Sequence, residues 1–271
     1  MKTNYIVVLV LLLTACGNGR WGAELDLSMG GVDAQGEALT PGEPLTLSGG
    51  AWSLTLDRAC LAVELAVITP AAAAAAAEAG EDCFCHGDPP ECHGDCSAGA
   101  AGGEATGTGL VVEADAVLDL LAGSTPLVTR GVAPGDYTTL SLVLGGEHGA
   151  ADPPEACSAM AGRTLWIQGT LTNLTTAETW SLTVDLRDEV ITEPIAVTPL
   201  ATATSDNPAA LASGLMLELV LDAVDYASVT ADATGEVTIG GDNARNADAA
   251  HEILHQLTHA GSYTAVGHQE P

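Results

Sequence analysis

The octapeptide TWSLTVDL, Thr179–Leu186, sets the pattern that most constrains this chain. Trp180, Leu182, Val184 and Leu186 alternate with polar residues, so an extended backbone puts the apolar set on one face and the polar set on the other. Segments of the same kind, either alternating or solidly β-branched, recur at 24–29, 45–57, 59–68, 109–114, 116–121, 137–144, 164–171, 215–221 and 236–239. Gly, Pro and Asp separate them. Strands at such spacing, without amphipathic helices between them, predict a mainly β fold, an antiparallel β-sandwich.

The N-terminus predicts where that sandwich resides. Lys2 precedes an eight-residue apolar run, 6–13, which matches a signal-peptide core and is too short for the roughly 20 residues of a membrane span. The run ends in Leu13-Thr14-Ala15-Cys16, which resembles the lipobox of bacterial lipoproteins. The resemblance implies cleavage before Cys16, acylation of that cysteine and stable attachment to a membrane. Gly17 after the cysteine implies the outer membrane. The expected organisation is a signal peptide over 1–15, the lipidated cysteine and a tether over 16–22, the β domain over 23–245, a helix over 246–261 and a tail over 262–271.

Composition excludes one class of partner. The formal net charge is −29, and the only lysine is Lys2, so the chain repels nucleic acid and anionic lipid. With 47% hydrophobic residues the charge does not imply disorder. A protein partner is left open.

At VLDLLAGSTPLVTRGVAPGDYTTLSLVL, 117–144, Leu118-Asp119-Leu120-Leu121 is followed by a loop and then by Pro134-Gly135-Asp136-Tyr137. This resembles a family of uncharacterised bacterial envelope domains with a Pro-Gly-x-Tyr lead into a strand. The resemblance implies a secreted β-sandwich and brings no catalytic residue. The residues agree, since Pro-Gly makes a turn and Tyr137 begins an alternating strand.

Two stretches interrupt the β rhythm. Residues 70–108 hold seven consecutive alanines (71–77) and the sequence EDCFCHGDPPECHGDC, and are expected to be a long Cys/His insertion between strands. Six cysteines remain beyond Cys16: Cys60, Cys83, Cys85, Cys92, Cys96 and Cys157. An exported chain favours disulfides, with Cys83–Cys96 and Cys85–Cys92 nested around Pro89-Pro90 and Cys60 bridged to Cys157 across the sandwich. The competing reading is a zinc or copper site using the thiolates with His86, His93, Asp88 and Asp95. Haem attachment needs C-x-x-C-H, which neither CHGD copy supplies.

The second interruption is DAAHEILHQLTHAG, where Asn246 is a candidate N-cap and Gly261 a candidate C′ residue. At about 100° per residue, Asp248, His251, Glu252, His255 and His259 share one stripe opposite Ala250, Ile253, Leu254 and Leu257. The predicted helix docks by its apolar face and turns the histidines away. HEILH matches the zinc-peptidase motif H-E-x-x-H, with Glu252 as the water-activating base. The departures count against it: Thr258 and Gly261 stand where the metzincin pattern needs glycine and histidine, and Glu270 is the sole later glutamate. Two simpler readings stay open: a solvated polar face, or zinc, copper or nickel held by one i,i+4 histidine pair, since His251 and His259, about 12 Å apart along the axis, cannot share one ion. A third ligand would come from Asp248, Glu252, His268, His86 or His93. The sequence therefore predicts a lipid-anchored envelope protein, a binder rather than an enzyme, with transition-metal handling first and metal-free adhesion or assembly second.

Overall fold

The computed structural model describes residues 23–47, 50–71, 83–86, 91–94, 110–132, 134–145, 153–204, 208–241 and 244–269. Cys16, the signal sequence, most of the alanine run, Asp88, Asp95 and Cys96 lie outside the described residues.

The alternating segments become strands. In chain order these are β1 (Ala23–Val32), β2 (Pro44–Thr46), β3 (Trp52–Pro70), β4 (Cys83–His86), β5 (Glu91–Gly94), β6 (Leu110–Asp119), β7 (Thr125–Val132) and β8 (Gly135–Leu144). They continue with β9 (Leu165–Asn173), β10 (Thr179–Leu186), β11 (Val190–Ile191), β12 (Ile195–Ala203), β13 (Ala209–Met216), β14 (Glu236–Gly240) and β15 (Tyr263–Gln269). Two α-helices are described, α1 (Leu217–Asp222) and α2 (Ala247–Thr258).

A four-stranded sheet runs β15-β13-β1-β7, and a nine-stranded sheet runs β11-β8-β3-β9-β10-β14, with β12 on β8 and with β2 and β6 on β3. The described part of the insertion is a separate β4–β5 hairpin. Most pairings are antiparallel, but β1 with β13 and β10 with β14 are parallel. The two sheets share one hydrophobic core, where Leu25, Leu27, Leu211 and Leu215 of the small sheet join Leu54, Leu61, Leu142, Ile167 and Val184 of the large one.

β3 holds the large sheet together because its nineteen residues serve two sets of neighbours. Its first half pairs with β9 and its second half with β8, while β6 pairs along the other edge. Register shifts at Leu56/Arg58 and Val63/Leu65 change which positions reach the core. Core residues are Leu54 and Leu56, then Ala59, Leu61 and Val63, then Ala66 and Ile68. Each shift reverses the parity, as a β-bulge must, and lets so long a strand bend.

The Cys60–Cys157 disulfide is present, with Cα atoms 5.8 Å apart and a sequence separation of 97. It does not cross between the sheets. Cys60 belongs with Ala62, Cys157, Met160 and Trp166 to a second, smaller apolar cluster. Cys157 ends a 3-10 turn, Glu155–Cys157, so the bridge pins that turn onto β3 on the face away from the main core.

Three local expectations are corrected. Residues 215–221 are not a strand: β13 ends at Met216 and α1 follows, burying Leu217, Val220 and Leu221 at helical spacing. The supposed tail is strand β15, paired with β13 from Leu215↔Tyr263 to Ala209↔Gln269. Asn246 does not cap α2 with its side chain. Its buried amide instead donates to the carbonyls of Thr230 and Thr238, at 3.2 and 2.8 Å, and accepts from the Thr230 N–H at 3.0 Å.

Candidate functional site

α2 docks as its sequence pattern requires. Ala249, Ala250, Ile253 and Leu257 are buried, Leu254 is half-buried, and His251, His255 and Asp248 are exposed. The Tyr263 hydroxyl fixes the end of the helix by donating to the Leu257 carbonyl at 2.7 Å. Burial pushes that phenol far above its ordinary pKa, so it stays a neutral donor. The helix stops at Thr258 because His259 is extended, at φ −78° and ψ 127°. Gly261 lies in the 3-10 turn Ala260–Ser262 rather than acting as the C′ residue.

This ending brings two of the predicted stripe residues together. The His255 and His259 rings pack edge to face, with centroids 4.5 Å apart. A residue the stripe pattern does not include joins them: Glu193 Oε1 lies 3.4 Å from His259 Nδ1. Glu193 Oε2 accepts the Ala260 N–H at 3.1 Å, and the Glu193 N–H donates to the Thr258 carbonyl at 2.7 Å. Glu193 thus ties the loop after β11 to the last turn of the helix. The Ala260 N–H first, then the hydrogen bond and charge of His259, hold the Glu193 carboxyl below its ordinary range although burial opposes them. Glu193 is distant in sequence and obeys no periodicity, so no pattern along the chain pointed to it.

The other predicted residues go elsewhere. Glu252 accepts the Asp225 N–H at 3.4 Å, a bond between the helix and the loop after α1. His251 lines an open cleft of about 430 Å³ with Leu254, Asp185, Arg187, Asp188 and Gly240. His268 pairs in register with Ala210 on β15, about 17 Å along the strand from Tyr263 at 3.4 Å per residue. Among the described residues, no three His, Cys, Asp or Glu side chains come together in a geometry that could hold a metal ion. The five-residue stripe is therefore not one site.

Asp185, which also lines the cleft, is clamped by two guanidiniums. Arg187 donates from Nε and Nη2 to its two oxygens, both at 3.1 Å, and Arg163 donates from Nη2 at 3.1 Å. Burial alone would raise the Asp185 pKa, but the hydrogen bonds from Arg187 and Arg163, and their charges, outweigh it and lower it. Asp185 is also 9% exposed. Such a carboxylate is a fixed anchor, not an acid or base poised near neutrality. The backbone is close-packed here as well, since a Cβ on Gly240 would sit 2.3 Å from the Asp185 main-chain carbonyl oxygen.

In the β4–β5 hairpin, Cys85 stands opposite Cys92, Cys83 opposite Gly94, Phe84 opposite His93 and His86 opposite Glu91. No family model, curated protein or solved structure matches the chain.

Proposed function

We propose that this chain is a lipid-anchored protein of the bacterial outer membrane, a binding protein rather than an enzyme, that takes up a transition metal at His255 and His259. The observation that carries the metal reading is the i,i+4 histidine pair, 4.5 Å between ring centroids, with the Glu193 carboxylate against His259. Two imidazoles and a carboxylate are a donor set suited to zinc, copper or nickel. Glu193 would have to turn from the Ala260 N–H toward the ion to complete it. His251 and Glu252, the other key members of HEILH, are directed to the cleft and to Asp225, which supports binding over peptide hydrolysis.

The topology fits an anchored binder. Ala23, where β1 starts, follows Cys16 by seven residues, at most about 25 Å of extended chain. β1 then runs about 30 Å to Val32, and its parallel partner β13 passes at Met216 straight into α1, against which α2 packs. The histidine pair thus belongs to the end of the domain opposite the one that Cys16 would tether. A second reading, an adhesion or assembly module without metal, is favoured by the lack of a ready three-ligand group among the described residues.

Calorimetric titration of the protein with Zn²⁺, Cu²⁺ and Ni²⁺ separates the two. The metal reading expects one saturable site, lost in His255→Ala and in His259→Ala and kept in His251→Ala. Absence of binding, or binding indifferent to all three substitutions, leaves the adhesion reading.

A further inference from the structure

The repeated CHGD segment is not used by the function proposed above. Its backbone register supplies what its composition leaves open. Directly opposed residues in an antiparallel pair have Cα atoms about 4.5 or 5.5 Å apart, depending on the kind of pair, and both spacings lie within the 4.4–6.8 Å that a disulfide spans. Among the hairpin's cysteines, Cys85 and Cys92 are opposed in this way, whereas Cys83 faces Gly94.

We propose that Cys85 and Cys92 form a second disulfide, which closes the segment 85–92 around Pro89-Pro90 into a covalent ring. Formation joins the two sulfurs and releases two protons. Two electrons pass by thiol–disulfide exchange to a disulfide-bearing oxidant, which leaves as a dithiol. The bond removes Cys85 and Cys92 from metal chemistry. The alternate register positions hold His86 opposite Glu91 and His93 opposite Phe84.

The inference draws its oxidising compartment from the proposed envelope location, and one experiment reads the two separately. The full-length protein is purified from whole cells solubilised in detergent, its free thiols are alkylated without reduction, and it is cut after Phe84, at Asp88, after Glu91 and before Asp95. Mass spectrometry is expected to find the Cys85 peptide joined to the Cys92 peptide, beside the Cys60–Cys157 pair that certifies the fold. Alkylated Cys85 or Cys92, or either joined to any other cysteine, overturns the proposal. An acylated Cys16 peptide in the same digest reports on the lipoprotein reading alone. Co²⁺ added to the unreduced protein gives the second readout: no thiolate-to-cobalt charge-transfer band is expected from the hairpin. A strong band that disappears in Cys85→Ser/Cys92→Ser contradicts the disulfide.

Discussion

At single positions the strongest constraints come from backbones that approach too closely for any side chain. A Cβ on Gly267 would lie 2.3 Å from the Ala201 backbone nitrogen, so β15 and β12 can lie together only because the residue is glycine. The obstacle is main chain and cannot rotate aside. Gly267→Ala should therefore cost about 3 kcal/mol, the upper part of the range for overpacking. Gly261→Ala, with nothing within 4 Å of the new methyl, should stay within about 0.5 kcal/mol. Urea denaturation of the two variants checks the contrast. Asp185 makes a different prediction. Its folded-state pKa is depressed, so its stabilising contribution is complete above the unfolded carboxyl value of about 3.9 and is lost as pH falls through the folded value. Asp185→Asn should destabilise by about 2–3 kcal/mol at pH 7. That difference should shrink toward zero in the most acidic samples that remain folded. A difference that is unchanged at pH 3 would assign the loss to packing instead.

Element by element, the sequence was clearest where strands carry leucine and β-branched residues on one parity. Thr179–Leu186 is β10 with the bounds its alternation predicts, and the break read between 57 and 59 is the first irregularity of β3. β12 and β13 were missed because they read IAVTPLATA and AALASGLM. Small residues have weak strand preference, yet β13 lies between β1 and β15, where close approach needs them. β15 had a readable signal, since Tyr263, Ala265 and Gly267 are buried and alternate with Thr264, Val266 and His268. Its place next to the chain end hid it. Of the site, the helix and its exposed face were legible, whereas Glu193 and the Arg163–Asp185–Arg187 group depend on tertiary contacts that no local pattern records. Two elements can be tested directly. Tyr263→Phe removes the donor to Leu257 and should cost about 1 kcal/mol, with the last turn of α2 losing amide-exchange protection first. Reducing Cys60–Cys157, which closes a loop of about 100 residues, should cost between about 2 and 5 kcal/mol, seen as a lower thermal midpoint in dithiothreitol.

The whole molecule is an acidic, mainly β domain whose two sheets share one core. Among its described residues, no helix is long and apolar enough to cross a membrane. β1 and β13 run side by side from the Ala23 end to the end where α1 and α2 pack together. Side-chain ¹H–¹⁵N spectra taken during Zn²⁺ titration show which histidines bind the ion. His255 and His259 resonances should shift together and saturate together, while those of His251 and His268 stay in place. Movement of His251 without His259, or of no histidine at all, would contradict metal binding by this pair.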